Sequence, residues 1–116
     1  MADNKQYINQ EQDQGNILIS EDVIVKIVAQ AIKETEATVG SGVVELVHKK
    51  NRNRAIKVNI NENNELTVAC NVNIAFGQSV LNVAKAVQNA IVSSLESMAG
   101  VTILSVDVNV FGIIHQ

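Results

Sequence analysis

Leu66-Thr67-Val68-Ala69-Cys70-Asn71-Val72-Asn73-Ile74-Ala75-Phe76-Gly77-Gln78-Ser79-Val80-Leu81-Asn82-Val83-Ala84 is an uncharged run, long enough to raise the question of a membrane span. Its periodicity answers the question. Up to Ile74 the apolar residues alternate: Leu66, Val68, Cys70, Val72 and Ile74 stand against Thr67, Asn71 and Asn73. That is a strand with one buried face. Beyond Gly77 the spacing changes to that of a helix. Val80, Val83, Ala84, Val87, Ile91, Leu95 and Met98 form one stripe, with Asn82, Lys85, Asn89, Ser93 and Glu96 opposite. Gly100 occupies the C′ position that favours a left-handed residue. The stretch is a strand leading into an amphipathic helix, and Val87 is expected in the core.

Working back from Leu66, Glu62-Asn63-Asn64 supplies turn residues, and Asn tolerates positive φ. Before it, Ile56, Val58 and Ile60 alternate with Lys57, Asn59 and Asn61, so the two runs predict a β-hairpin. Working forward from Gly100, Leu104, Val106, Val108 and Val110 are predicted to point inward in a last strand. Ser105, Asp107, Asn109 and Phe111 then point outward. At the other end of the chain, Ile17-Leu18-Ile19 predicts a short strand. Ser20 stands where an N-cap belongs, followed by Glu21 and Asp22 at the positive end of the helix dipole. Ile24, Ile27, Val28 and Ala31, widened by Val23 and Ile32, predict a first helix from about Glu21 to Ala37, ended by Gly40-Ser41-Gly42. Val43 to Val47 reads as a strand or a partly ordered connection.

The resulting order is β-α-β-β-α-β. The expected fold is α+β, a single domain with one mixed sheet and two helices on one face. Residues 1–14 are polar and read as a flexible tail, which leaves residues 15–116 as the domain. A chain of 116 residues can bury a real core, and 47% hydrophobic with 18% charged residues excludes a disordered chain. A net charge of −3 argues against global attraction to nucleic acid or anionic lipid. Tyr7, Phe76 and Phe111 are the whole aromatic set, too few for stacking on single strands. A lone Cys70 makes no intrachain disulfide, and the start of the chain lacks the basic and apolar regions of a signal peptide. A cytoplasmic protein is expected.

Chemistry is hard to assemble from these residues. Cys70 falls on the inward side of a strand, where a thiol is inert. His48 and His115 are far apart and lack paired ligand spacing. Glu34, Thr35 and Glu36 read as a solvated helix end. Gly40-Ser41-Gly42 lacks the rest of a phosphate-binding loop. No catalytic residue, metal ligand or cofactor site is assigned, and no small-molecule substrate is expected. Two surface features stand out. Lys49, Lys50, Arg52, Arg54 and Lys57 are five of the nine Lys and Arg residues. They form a basic stretch that either contacts an anion or partner or keeps a neighbouring strand edge from pairing. Asn59, Asn71, Asn73, Asn109 and Phe111 fall on the outward sheet face. That face is either plain wet surface or a self-association surface of low charge.

Gly15-Asn16-Ile17-Leu18-Ile19-Ser20 leading into Val23-Ile24 resembles the opening of the alkaline shock protein family. So does Phe76-Gly77 before a long helix with Val87-Gln88, then Met98-Ala99-Gly100, and so does the closing run from Val106 to Ile113. The likeness covers about residues 15–113. The family commonly has Tyr where Phe76 stands and a Pro soon after, where this chain has Gln78-Ser79. The family's Gly-Val pair after the first helix appears as Val39-Gly40. The resemblance implies a non-enzymatic, cytoplasmic envelope-stress protein of Gram-positive-type bacteria, a scaffold or adaptor that self-associates and gathers at the membrane through an integral-membrane partner. It implies no catalytic residues. The competing class is a small nucleic-acid-binding module using the basic stretch at 48–57, although nucleic acid is disfavoured by the charge and by the missing aromatics.

Overall fold

Strand-forming and helix-forming patterns alternate along the chain, and the computed structural model, which describes residues 6–12, 14–47 and 55–114, follows them closely. Strands β1 (Tyr7–Gln12) and β2 (Gly15–Ser20) precede helix α1 (Glu21–Glu34) and a one-turn helix α2 (Glu36–Val39). Then come β3 (Val44–Leu46), β4 (Ile56–Ile60), β5 (Glu65–Ala75), helix α3 (Val80–Ala99) and β6 (Thr102–Ile114). Ser20 caps α1, its hydroxyl accepting from the N–H of Val23 at 3.4 Å, and Ser79 does the same for Asn82 in α3. Gly100 ends α3 at φ +62°, the left-handed conformation that a residue with a Cβ resists.

The main sheet is built around β5. Parallel β6 takes one edge along its whole length, from Glu65↔Thr102 to Ala75↔Ile114. Antiparallel β4 and β3 share the other edge, β4 opposite Leu66–Cys70 and β3 opposite Val72–Ile74. The N–H of Val47 donates to the carbonyl of Asn71 at 2.9 Å, and Ile56 is the partner of Cys70. The chain thus leaves and rejoins this edge at adjacent positions, as one long strand interrupted in its middle. Leu66, Val68, Cys70, Val72 and Ile74 are fully buried beneath Ile24, Val28 and Ile32 of α1 and Val83, Val87, Ile91 and Leu95 of α3. Helices α1 and α3 cover one face of this mixed sheet, and among the described residues no helix covers the other.

Five expectations are corrected. Part of the expected tail is structured: β1 pairs antiparallel with β2 from Tyr7↔Ser20 to Gln12↔Gly15, and Ile8 is 1% exposed in the core. Polar side chains hid this strand because its partners are backbone groups and a single apolar residue anchors it. Ile17 and Leu18 are exposed, since the far half of this two-stranded ribbon extends past the core. The first helix breaks at Thr35, whose hydroxyl donates to the carbonyl of Ala31 at 2.9 Å. Thr35 is buried, not part of a solvated end. Val80 and Met98, at the two ends of the α3 stripe, are exposed because the buried residues follow a single i+4 row, Val83, Val87, Ile91, Leu95 and Ala99, and those two lie off it. Finally, Leu104 is 57% exposed rather than inward. The register jumps from Leu66↔Ile103 to Thr67↔Ser105, leaving Leu104 as the extra residue of a bulge; a second jump leaves Phe111 unpaired in the same way.

Candidate interaction surface

The uncovered face of the main sheet assembles most of the expected surface residues in rows across adjacent strands. Asn59 pairs in register with Thr67, which pairs with Ser105. Lys57, Ala69 and Asp107 form the next row, then Asn71 and Asn109, then Glu45, Asn73 and Gly112. Asn59, Asn109 and Lys57 are exposed, Asn71 and Asn73 are half-buried, and Phe111 is 65% exposed beside the last row. Lys49, Lys50, Arg52 and Arg54 lie outside the described residues. Lys57 alone of the basic set is placed, pointing to the same face as the amides.

These amides are tied to one another. The Asn109 amide nitrogen donates to Asn71 Oδ1 at 3.1 Å, and that of Asn73 to Glu45 Oε1 at 3.5 Å. Asn59 Oδ1 accepts from Gln6 at 3.3 Å. Each primary amide has two N–H groups and an acceptor, so capacity is left over for a second layer. Gly112 leaves room for the Asn73 side chain: a Cβ at that position would stand 2.9 Å from Asn73 Oδ1 and would require that amide to move.

Sequence reasoning missed a second group of amides, which bond to backbone at the borders of the fold. Gln6 Oε1 accepts from the N–H of Ile60 at 2.8 Å on the outer side of β4. Asn64, at φ +61°, accepts from the N–H of Asn9 at 3.3 Å and donates to the Asn9 carbonyl at 2.9 Å. Gln10 donates to the carbonyl of Ala99 at 2.7 Å, occupying an acceptor that the end of α3 leaves free. Gln88 donates from α3 to the Val106 carbonyl at 2.8 Å, on the side of β6 away from β5. The only hint in the sequence is the crowding of Gln and Asn around Tyr7 and Ile8.

Burial among aliphatic side chains pushes the Cys70 thiol up to about 12, so it stays protonated and unreactive at neutral pH. Among the described residues, no group of His, Cys, Asp and Glu could hold a metal ion. Among them also, no helix is long and apolar enough to cross a membrane.

Comparison with curated proteins and with solved structures gives no significant match. Against protein families, residues 9–115 match the model of the alkaline shock protein 23 family, described as having a cell envelope-related function. The match begins inside β1, in agreement with a domain that starts before residue 15. With nearly the whole chain matched, from the buried end of the β1–β2 ribbon to the last strand, the protein belongs to the alkaline shock protein 23 family.

Proposed function

We propose that the protein is a non-enzymatic, self-associating scaffold or adaptor in the cell envelope-related role of its family, working from the cytoplasmic side through a membrane-protein partner. The observation that carries this reading is the uncovered sheet face. It is a contiguous surface of Asn59, Asn71, Asn73 and Asn109 with exposed Phe111, low in net charge because Lys57 offsets one of Glu45 and Asp107, and rich in amides with unspent hydrogen-bonding capacity. Such a face can meet a second protein surface without the like-charge repulsion that an acidic or basic face imposes. The chemically inert Cys70 adds support, since the one thiol is protonated and enclosed.

The test places charge on that face. Asn59→Asp combined with Asn109→Asp, two exposed positions in different rows of the face, is expected to lower the sedimentation coefficient while leaving the melting temperature nearly unchanged, since solvent-facing changes cost under about 0.5 kcal/mol. Equal sedimentation coefficients for parent and variant would reduce the face to wet surface. The nucleic-acid alternative predicts binding to mixed RNA or DNA at low salt that weakens roughly tenfold or more at moderate salt. Absence of any shift at low salt removes it.

A further inference from the structure

Strand β6 is the longest in the protein, and among the described residues it pairs only with β5. Its other edge is therefore a line of main-chain donors and acceptors with few partners. The bond from Gln88 to the Val106 carbonyl fixes which groups lie there. Strand alternation then turns the N–H and C=O of Val106, Val108 and Val110 to the free side, while Ser105, Asp107 and Asn109 serve β5. Natural edges are usually guarded by Lys, Pro or short length. This one has no Lys, no Arg and no Pro, and Asp107 is its single charge. The two bulges, at Leu104 and Phe111, leave the segment between them regular.

We propose that this edge pairs antiparallel with the same edge of a second copy, about a two-fold axis at Val108, joining the two sheets into one. The inference rests on the self-association reading and specifies a contact that the amide face alone does not.

The register follows from chemistry. Outward-bonding residues must face each other, so only alignments of Val106, Val108 and Val110 among themselves are allowed. Centring the axis on Asp107 sets the two carboxylates directly opposite and pairs only Val106 with Val108. Centring it on Asn109 likewise leaves Val106 outside the Val pairs. Centring it on Val108 pairs Val108 with its own copy and Val106 with Val110 on both sides, each pair exchanging both main-chain hydrogen bonds. It also sets Asp107 opposite Asn109 of the other copy. The second N–H of the Asn109 amide, left over from its bond to Asn71, is then available to that carboxylate. On the inner face Val meets Val, a favourable cross-strand pairing. In the single chain, Gln88 stands in for one of the missing bonds, and the partner's Val110 N–H would replace it.

The experiment follows the amides of Val106, Val108 and Val110 by hydrogen exchange across a concentration series, alongside sedimentation velocity of the full chain. Protection of those amides is expected to rise as the dimer forms. Asn109→Asp opposes two carboxylates on each side of the axis and should raise the dissociation constant roughly tenfold. Adding Asp107→Asn to it exchanges the two residues, restores complementarity and should recover the parental value. Association that persists while these amides exchange freely, or that the exchanged pair fails to recover, overturns the edge contact and leaves self-association standing on another surface. A monomer at every concentration overturns both. Protection that appears only on adding a different protein overturns the second copy as the occupant.

Discussion

Asn64 does two jobs that substitution can separate. It holds the turn between β4 and β5 at φ +61°, and its side chain grips the backbone of Asn9 through one bond of 3.3 Å and one of 2.9 Å. Asn64→Gly keeps the turn and removes the grip. The two bonds are exposed and one is long, so together they contribute about 1 kcal/mol, at the low end for such bonds. The extra freedom of Gly in the unfolded chain adds about 0.5 kcal/mol. Asn64→Ala removes the grip and also strains the turn, for a total of about 2–3 kcal/mol. For a chain of this size each kcal/mol lowers the melting temperature by about 3–5 °C. Urea unfolding with thermal melts should therefore rank parent, Gly and Ala in that order. Hydrogen exchange localises the effect: the Asn9 amide should open in both variants, because its partner among the described residues is the Asn64 side chain. A Gly variant as stable as the parent, with the Asn9 amide still protected, would refute the grip.

Val87 is completely enclosed, so Val87→Asp buries an unpaired carboxylate; a loss of several kcal/mol, close to the stability of a small domain, is expected as collapse of the cooperative melt. Thr35→Val keeps the shape but loses the hydroxyl bond to Ala31, while the Thr35 N–H still serves that carbonyl. It should cost about 1 kcal/mol by urea unfolding. Cys70 gives a pH signature. Its folded pKa is raised from 9.0 to about 12, so the unfolded chain loses its proton first. The stability tied to the neutral thiol is complete below pH 9 and falls between there and about 12, by up to about 1.4 kcal/mol per pH unit. Cys70→Val should flatten that slope.

What was legible in the sequence was what local period encodes. The alternation from Leu66 to Ile74 and the helical stripe after Gly77 each declare themselves within a dozen residues, and they fix the central strand and the helix over it. Ser20, Ser79 and Gly100 mark helix ends because capping is also local. Strand β1 was not legible, since Ile8 is its only buried residue and its docking depends on Asn64, more than fifty positions away. The bulges in β6 were hidden for a related reason. A skipped residue is decided by the register against β5, and Leu104 reads as part of the alternation until its partner strand is known. Thr35 misled because its neighbours, Glu34 and Glu36, are charged while it alone turns inward.

The same division governs the surface. Which residues share the uncovered face follows from alternation, so Asn59, Asn71, Asn73 and Asn109 group together on strand period alone. How the sheet's borders are treated does not follow from it, because it depends on single long-range amides. The two outer edges are treated unequally. On the β4 side, Gln6 satisfies Ile60 and the β1–β2 ribbon is held close by Asn64 and Gln10. On the β6 side, Gln88 satisfies one carbonyl, and a run of Val residues continues beyond it with a single charge. An edge left open over this length is normally selected against, because it invites pairing with other chains. The proposed pairing with a second copy would use this open side and leave the β4 side as it stands. In the proposed dimer the sheet would end at two copies if the far border, where Gln6 already occupies the Ile60 N–H, takes no further strand.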